Sequence, residues 1–334
     1  MASAGPASSG PVVAMTDIDM MTTASIAKSS PSKTKPATKP TAKPVAEAPV
    51  KTPSRTWRVW SSFMGGMSEV DANAVDPSVS GNDTGMAAGF DYALTPELLA
   101  GIAVAGSSSS FSVGGGTTSG DITGGHFSVY GVATSGALYA SGSLTYSRLS
   151  TASKRTVTGL GPTEKWNGDY ETNGYSADLE VGWQNKVAGY TITPFVGLKA
   201  SVMQQEAYTE TSDDNAALLG LSYKENETQS LPGSLGIQVE RDYSLQDGWM
   251  LTGMARAALV HEFRTARSIS ANFINLPGSS FTVDGSSPPE NVGRIMGGIN
   301  LVNNKGTTLF ANLTGDLSSD TRAYVAQGGF KLDW

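Results

Sequence analysis

Residues 322–334 read Arg-Ala-Tyr-Val-Ala-Gln-Gly-Gly-Phe-Lys-Leu-Asp-Trp. Sorted by parity, the even positions are Tyr324, Ala326, Gly328, Phe330, Leu332 and Trp334, and the odd ones include Gln327, Lys331 and Asp333. A β-strand sends successive side chains to opposite faces. This stretch is therefore a strand with one apolar, aromatic face and one polar face. It ends on an aromatic residue, which points to the closing strand of a membrane-embedded barrel.

Composition agrees. The chain has 334 residues, 39 glycines and no cysteine, and only 16% of its residues are charged. No apolar run reaches the eighteen or so residues of a transmembrane helix. Only helices and closed barrels satisfy their backbone in lipid, so a membrane protein of this composition has to be a β-barrel. With no Cys and two His, disulfide frameworks, thiol chemistry and metal clusters are poorly supported.

Charge divides the chain. Residues 1–55 carry seven basic and three acidic groups, a balance of +4, against −7 for the whole, so the remainder is −11. Within the basic segment, residues 31–53 place Pro every three to five positions. That density blocks helix and sheet and favours extended polyproline II. Residues 1–56 are thus expected to be a low-complexity basic linker, and residues 57–334 the folded domain. The linker lacks interleaved aromatics, so nucleic acid is not an expected partner. The start at Met1 lacks the basic and apolar regions of a secretory signal, which sets a weak mark against export.

From Trp57 onward, alternation recurs. Strands are expected near residues 57–67, 85–94, 98–106, 126–134, 137–148, 175–184, 190–204, 234–243, 249–263, 292–302, 307–317 and 322–334. The clearest sets Tyr175, Ala177, Leu179, Val181 and Trp183 against Ser176, Asp178, Glu180 and Gln184. Pro194 falls inside the seventh strand, where it cannot donate to a ladder, and a bulge is expected there. Twelve strands is an even number, as bacterial barrels require. Short turns (95–97, 135–136, 185–189, 244–248, 303–306) alternate with connections that are mostly long (68–84, 107–125, 149–174, 205–233, 264–291). Only 318–321 is short among the second set. Short turns on one side and long loops on the other are the outer-membrane pattern.

The aromatics sort the same way. Trp57, Tyr92, Trp183, Tyr190, Tyr243, Trp249 and Trp334 lie beside short turns or chain ends. Phe63, Phe127, Tyr146, Tyr175, Phe263 and Tyr324 lie toward the long loops. The ten steps from Tyr324 to Trp334, at about 3.3 Å rise and 40° tilt, span roughly 25 Å, the height of an apolar band.

At this point residues 57–334 resemble the translocator domain of a classical autotransporter (type V secretion). The resemblance rests on Trp-Arg-Val-Trp at 57–60, on 85–103 (Gly-Met-Ala-Ala-Gly-Phe-Asp-Tyr-Ala-Leu-Thr-Pro-Glu-Leu-Leu-Ala-Gly-Ile-Ala), on Thr-Pro-Phe-Val-Gly-Leu at 193–198, and on the aromatic ending. It implies an all-β, twelve-stranded antiparallel barrel in the outer membrane of a Gram-negative bacterium, with long loops outside and short turns in the periplasm. The segment before the first strand would thread the pore and carry an N-terminal passenger to the surface. The resemblance also implies outer-membrane lipid and lipopolysaccharide, the barrel-assembly machinery and periplasmic chaperones as partners. Gln327, Gly329, Leu332 and Trp334 match the assembly signal of such barrels. Two departures stand out. Pro44, Pro49 and Pro53 disfavour the helix the family usually places before the first strand, and residues 1–55 cannot form the usual β-helical passenger. Reach is sufficient: polyproline II at about 3.1 Å per residue crosses ~40–45 Å in roughly 14 residues.

Parity assigns Arg58, Asp91, Asp178, Glu180, Lys199, Glu240, Arg256 and Arg294 to the pore, with Glu262, Lys331 and Asp333 beside them. They read as a hydrated lumen of compensating charges, or as a polar lining along which a chain slides. Lumenal acids that cut a passenger are the family's occasional variant, and Asp91, Asp178 or Glu180 would be the candidates. His126 is expected to face the lumen and His261 to face outward, poor geometry for a metal or a dyad. No Gly-x-Ser-x-Gly elbow occurs, and Gly114-Gly115-Gly116 lacks the Lys and helix of a phosphate cradle. No cofactor and no catalytic residue is expected. The leading expectation is a translocator and anchor rather than an enzyme. The alternative is a passive outer-membrane porin or small-solute channel.

Overall fold

The computed structural model describes residues 57–72, 77–159, 161–213, 217–276, 278–285 and 287–334. The linker expected at 1–56 lies outside them. Twelve strands form the wall: β1 (Trp57–Val70), β2 (Val79–Thr95), β3 (Leu98–Val113), β4 (Thr118–Ser135), β5 (Leu138–Val157) and β6 (Glu164–Trp183), then β7 (Tyr190–Gln205), β8 (Pro232–Ser244), β9 (Trp249–Glu262), β10 (Asn291–Asn303), β11 (Thr307–Leu317) and β12 (Thr321–Asp333). Each pairs antiparallel with its chain neighbours. β12 pairs with β1 from Arg58↔Asp333 to Val70↔Thr321, which closes the ring. Closure removes the free edges that would otherwise expose unpaired backbone groups to lipid. Among the described residues no helix is long and apolar enough to cross a membrane.

The wall is one layer thick, so burial means facing inward. On β1, Arg58, Trp60 and Ser62 are buried while Trp57 and Phe63 are exposed. On β12, Ala323, Val325, Gln327 and Lys331 are buried while Tyr324, Phe330 and Leu332, and Trp334 just past its end, are exposed. The outer face carries both aromatic rings. Trp57, Tyr92, Trp183, Tyr190, Tyr243 and Trp334 mark the turn end, and Phe63, Phe127, Tyr146, Tyr175, Phe263 and Tyr324 the loop end.

The bulge expected at Pro194 is absent. β6 and β7 keep one register from Thr172↔Gln205 to Gly182↔Phe195. The same register resumes at Asn185↔Ile192 and runs to Val187↔Tyr190. Pro194 has no N–H, so two rungs open opposite Trp183 and Gln184 and the ladder then continues without a shift. Pro194 still faces Ile237 of β8. The irregularity in the wall falls elsewhere, between Ala93 and Thr95 of β2. Ala188 and Gly189 make the turn after that hairpin with φ 50° and 82°, a pair of positive values that suits a tight two-residue connection.

The strands run further toward the loop end than alternation indicated. β5 and β6 pair continuously from Leu138↔Trp183 to Val157↔Glu164, where a loop over 149–174 was expected. β3 and β4 pair as far as Val113↔Thr118. The loops 206–231 and 263–290 also contain strands. Tyr208–Thr209, Leu221–Tyr223, Ser268–Phe273 and Phe281–Asp284 form a second, four-stranded sheet, and Asn226–Ser230 extends the pairing of β7. Leu221, Tyr223, Ile269 and Ala271 are the buried core of the small sheet, with Tyr208, Phe273 and Phe281 packed on it.

Candidate functional site: the barrel interior and its loop-end rim

Near the turn end, the interior is organised by Asp91 of β2. Its carboxylate accepts from Arg58 Nε and Tyr130 Oη, and from Trp60 Nε1 at 3.3 Å. Trp60 also donates to Tyr130 Oη at 2.7 Å. Asp91 is fully buried, and Trp60 is the largest side chain with almost no exposure. A buried carboxylate is tolerable only with this density of donors. The indole lies over Gly89, where a Cβ would collide with it. Lys331 of β12 is buried, with its ammonium 5.1 Å from the centre of the Phe310 ring. Lys331 is the register partner of Trp60, so five strands, β1, β2, β4, β11 and β12, meet in one cluster beside the β1–β12 closure.

A second group crosses the interior. Arg256 of β9 donates to both oxygens of Glu180 on β6, the NH1–Oε1 contact being 3.2 Å, and to Gln238 Oε1 at 3.4 Å. Its guanidinium sits 3.6 Å above the Phe195 ring. Tyr139 Oη donates to Glu180 Oε1 at 2.6 Å. Because β6 and β9 are separated by β7 and β8, this pair braces the barrel across its lumen. It is a charge-assisted, forked contact stacked on an aromatic face, the geometry in which Arg is not replaceable by Lys.

The remaining sequence-selected residues are dispersed. Asp178 stands opposite Lys199 in the β6–β7 register. Arg294 forms a forked pair with Asp316 at 2.7 and 2.6 Å near the loop end. Glu240 lies on β8 opposite Thr191 and Met254. Gln327 accepts from Asn312 Nδ2 at 3.5 Å, Gly329 and Leu332 lie further along β12, and Trp334 follows its last residue. Glu262 closes the loop end of β9, accepting from the backbone N–H groups of Leu231 and Arg264 at 2.7 and 2.8 Å.

His126 is buried between Ser107 and Ser147 at 2.9 and 2.8 Å. His261 contacts Asn291 at 3.0 Å and the edge of Phe263 on the outer face. The two histidines are thus in separate environments. Among the described residues no three His, Asp or Glu groups converge as a metal site.

Sequence reading by charge overlooked the aromatics inside. Trp60, Tyr130, Phe195, Phe310 and Tyr139 occupy lumenal positions and shape the polar contacts. Parity alone would have placed Trp60 with Arg58.

The rim at the loop end is built from the β5–β6 extension. Arg155, Glu164, Trp166 and Tyr170 continue its lumen-facing rows beyond the aromatic ring at Tyr146 and Tyr175. The loop 206–231 packs on those residues. Arg155 donates to Glu210 Oε1 at 2.8 Å and to the Leu219 carbonyl at 3.0 Å. Glu164 accepts from the backbone N–H groups of Leu218 and Leu219 at 3.0 and 2.9 Å and from Trp166 Nε1 at 2.9 Å. Burial pushes the Glu164 carboxyl up, but those three donors and the nearby Arg155 charge outweigh it and hold the group below its ordinary value. Tyr208 stacks between Tyr170 and Tyr223, both at 4.5 Å. Burial and the neighbouring Glu210 charge raise the Tyr223 phenol; burial first, with Tyr223, Tyr170 and Glu210, raises that of Tyr208.

A closed, single-layer antiparallel barrel with two outward aromatic rings and a charged interior defines an outer-membrane type of β-barrel. The chain belongs to the autotransporter family: the model of the autotransporter β-domain matches residues 59–314. No curated protein matches the chain by sequence. Among solved structures it is similar to the translocator domain of the autotransporter NalP from Neisseria meningitidis, with TM-score 0.64 and 14% identity over 85% of this chain and 90% of that one. It is also similar to the β domain of the Bordetella autotransporter BrkA, with TM-score 0.60 and 15% identity over 84% of this chain and all of that one. The transport unit of the autotransporter AIDA-I from Escherichia coli follows, with TM-score 0.52 and 15% identity over 86% and 94%. At these identities the structural likeness concerns the fold. Family membership places the barrel in an outer membrane.

Proposed function

We propose that the barrel is the translocator and membrane anchor of a type V autotransporter, a conduit that carries an N-terminal passenger to the cell surface through or with the barrel. The observation that carries this reading is the autotransporter β-domain match across residues 59–314. The position of Trp57 supports it: β1 begins at the turn end, beside Trp334, so the preceding segment joins the wall at that end, the end from which a threading segment has to start. On this reading the short turns are periplasmic and the long loops external. The basic linker threads the lumen, and its Pro-rich stretch suits a chain that must not fold inside.

The roles of individual residues follow from the same reading. Arg58, Asp91, Asp178, Glu180, Lys199, Glu240, Arg256 and Arg294 line the route and keep it polar. Gln327, Gly329, Leu332 and Trp334 are the signal read by the barrel-assembly machinery after periplasmic chaperones deliver the chain. Lipid and lipopolysaccharide contact the outer aromatic and aliphatic face. No catalytic step is assigned to the barrel.

A porin would share the wall but not the contents. The discriminating experiment is conductance in planar bilayers. A translocator with its linker in the lumen conducts little until residues 1–56 are deleted. Large, steady conductance of the full chain would instead identify a solute channel.

A further inference from the structure

The loop sheet has a face, and that face is on the lumen side. Tyr170 lies on the inward row of β6, and Tyr208 stacks on it, with Tyr223 next in the stack. Leu221, Ile269 and Ala271 share the buried side, at 1–3% exposure. This aliphatic and aromatic core, with the buried Arg155–Glu210 pair at its edge, fills this part of the mouth.

Topology fixes how far the filling reaches. The loop 206–231 leaves β7 and returns to β8, and the loop 263–290 joins β9 to β10. The two are stitched together by Leu221↔Phe273 and Tyr223↔Ala271, and by Ile274 N–H donating to the Gly220 carbonyl at 2.9 Å. On the other side Asn167 of β6 and Thr211 exchange both backbone hydrogen bonds at 2.8 Å. The sheet therefore bridges from β6 to the β9–β10 connection. Arg155 and Glu164 clamp its 217–221 stretch to the inner wall, with Arg155–Glu210 at 11% and 6% side-chain exposure.

We propose that the described stretches 206–213, 217–231, 263–276 and 278–285 of these two loops form a latched lid over the β6–β10 side of the barrel mouth, with Arg155–Glu210 and Glu164–Leu218/Leu219 as the latch. The lid is a folded unit with its own core, so it moves as one body when the latch opens. It narrows the exit in the resting state and has to swing away from Tyr170 for a bulky chain to pass. That the mouth it covers is the external one rests on the proposed orientation of the barrel.

The chain has no cysteine, so a single engineered thiol reports without background. Thr151 is 4% exposed on the inward row of β5, opposite Tyr170 in the ladder and beneath the tyrosine stack. Purified full-length Thr151→Cys is treated with a charged maleimide, alone and combined with Arg155→Ala and Glu164→Ala. Labelling of a buried site follows the population of the opened state. The latched protein is expected to label slowly and the unlatched one at least about tenfold faster, with the folded barrel's gel mobility before heating unchanged in both. Equal rates would overturn the lid. Should the double substitution disturb the barrel, Asn167→Cys/Thr211→Cys decides: a hydrogen-bonded antiparallel pair sits about 5.5 Å apart at Cα, within disulfide range. Ready oxidation of this pair in the full chain supports the docked lid, and an unreactive pair in a folded barrel overturns it. Repeating the maleimide reaction on intact cells separates the two ideas. If the unlatched protein labels when purified but not on cells, the lid stands and the orientation falls.

Discussion

Trp57 and Trp334 exchange backbone hydrogen bonds, N–H to carbonyl in both directions, at 3.2 and 3.1 Å. This rung ties the two ends of the described barrel together at the turn-side aromatic ring. Both indoles face outward and are exposed to the surroundings of the wall. The last residue is thus a wall residue, held by the first strand.

Trp334→Asp separates stability from assembly. Near the membrane interface an acidic substitution on the lipid face costs a folded barrel only about 0–1 kcal/mol. If Trp334 serves only as a girdle residue, the variant inserts and is slightly less stable. As part of the assembly signal, its loss is expected to abolish insertion. The amount of folded barrel in the outer membrane, read by gel mobility with and without heating, checks this. Normal levels of the variant would contradict the signal role.

The Arg256–Glu180 brace is expected to stabilise the closed barrel. Truncating either partner leaves a charge inside with fewer contacts. Hydrogen bonds to charged groups contribute about 1.5–3 kcal/mol, and some of this is recovered by lumenal water. Glu180→Gln should therefore lower the unfolding midpoint, and Arg256→Ala should lower it more, because it also removes the stacking on Phe195. A double-mutant cycle over unfolding free energies should show coupling. Additive effects would mean the two side chains act independently.

The rim responds to pH in one direction. Glu164 has its folded value below the ordinary 4.5. A depressed carboxyl contributes stability that is complete above the unfolded value and is lost as pH falls through the folded one. The lid is therefore expected to stay docked above the ordinary 4.5 and to loosen as pH falls from there through the depressed folded value. Amide exchange at Leu218 and Leu219 measures it. In Glu164→Gln, exchange at these amides should be faster at neutral pH and lose this acid dependence.

Pro194 offers a test of the ladder. Pro194→Val supplies the missing N–H opposite Trp183 without altering the register on either side. The expected change is neutral to stabilising, by at most about 1 kcal/mol. A large destabilisation would show that the open rungs are required.

What could be read from the sequence follows from where water is. Between the aromatic rings one face meets lipid and the other the lumen, so Tyr175 to Trp183 alternate cleanly and the twelve strands are visible. Beyond Tyr146 and Tyr175 both faces of the wall meet water or protein. Stretches such as 107–112 and 150–154 then carry Ser, Thr and Lys on both sides, and the period-2 signal disappears although the pairing continues. The loop sheet is hidden for a second reason. Its strands are two to six residues long, and the pairing that joins its two halves, Tyr223 with Ala271, spans about fifty residues. Charge parity located Arg58, Asp91, Glu180 and Arg256 individually. It could not show that Asp91 gathers Trp60 and Tyr130, or that Arg256 reaches Glu180 across two intervening strands.

The central claim is that the segment before β1 passes through this barrel to the cell surface. An epitope inserted near residue 10 and probed on intact cells, with and without external protease, tests it most directly. The account predicts antibody access that external protease removes while the barrel remains. An epitope that is undetectable on intact cells, resists external protease and appears only after the outer membrane is opened would contradict it.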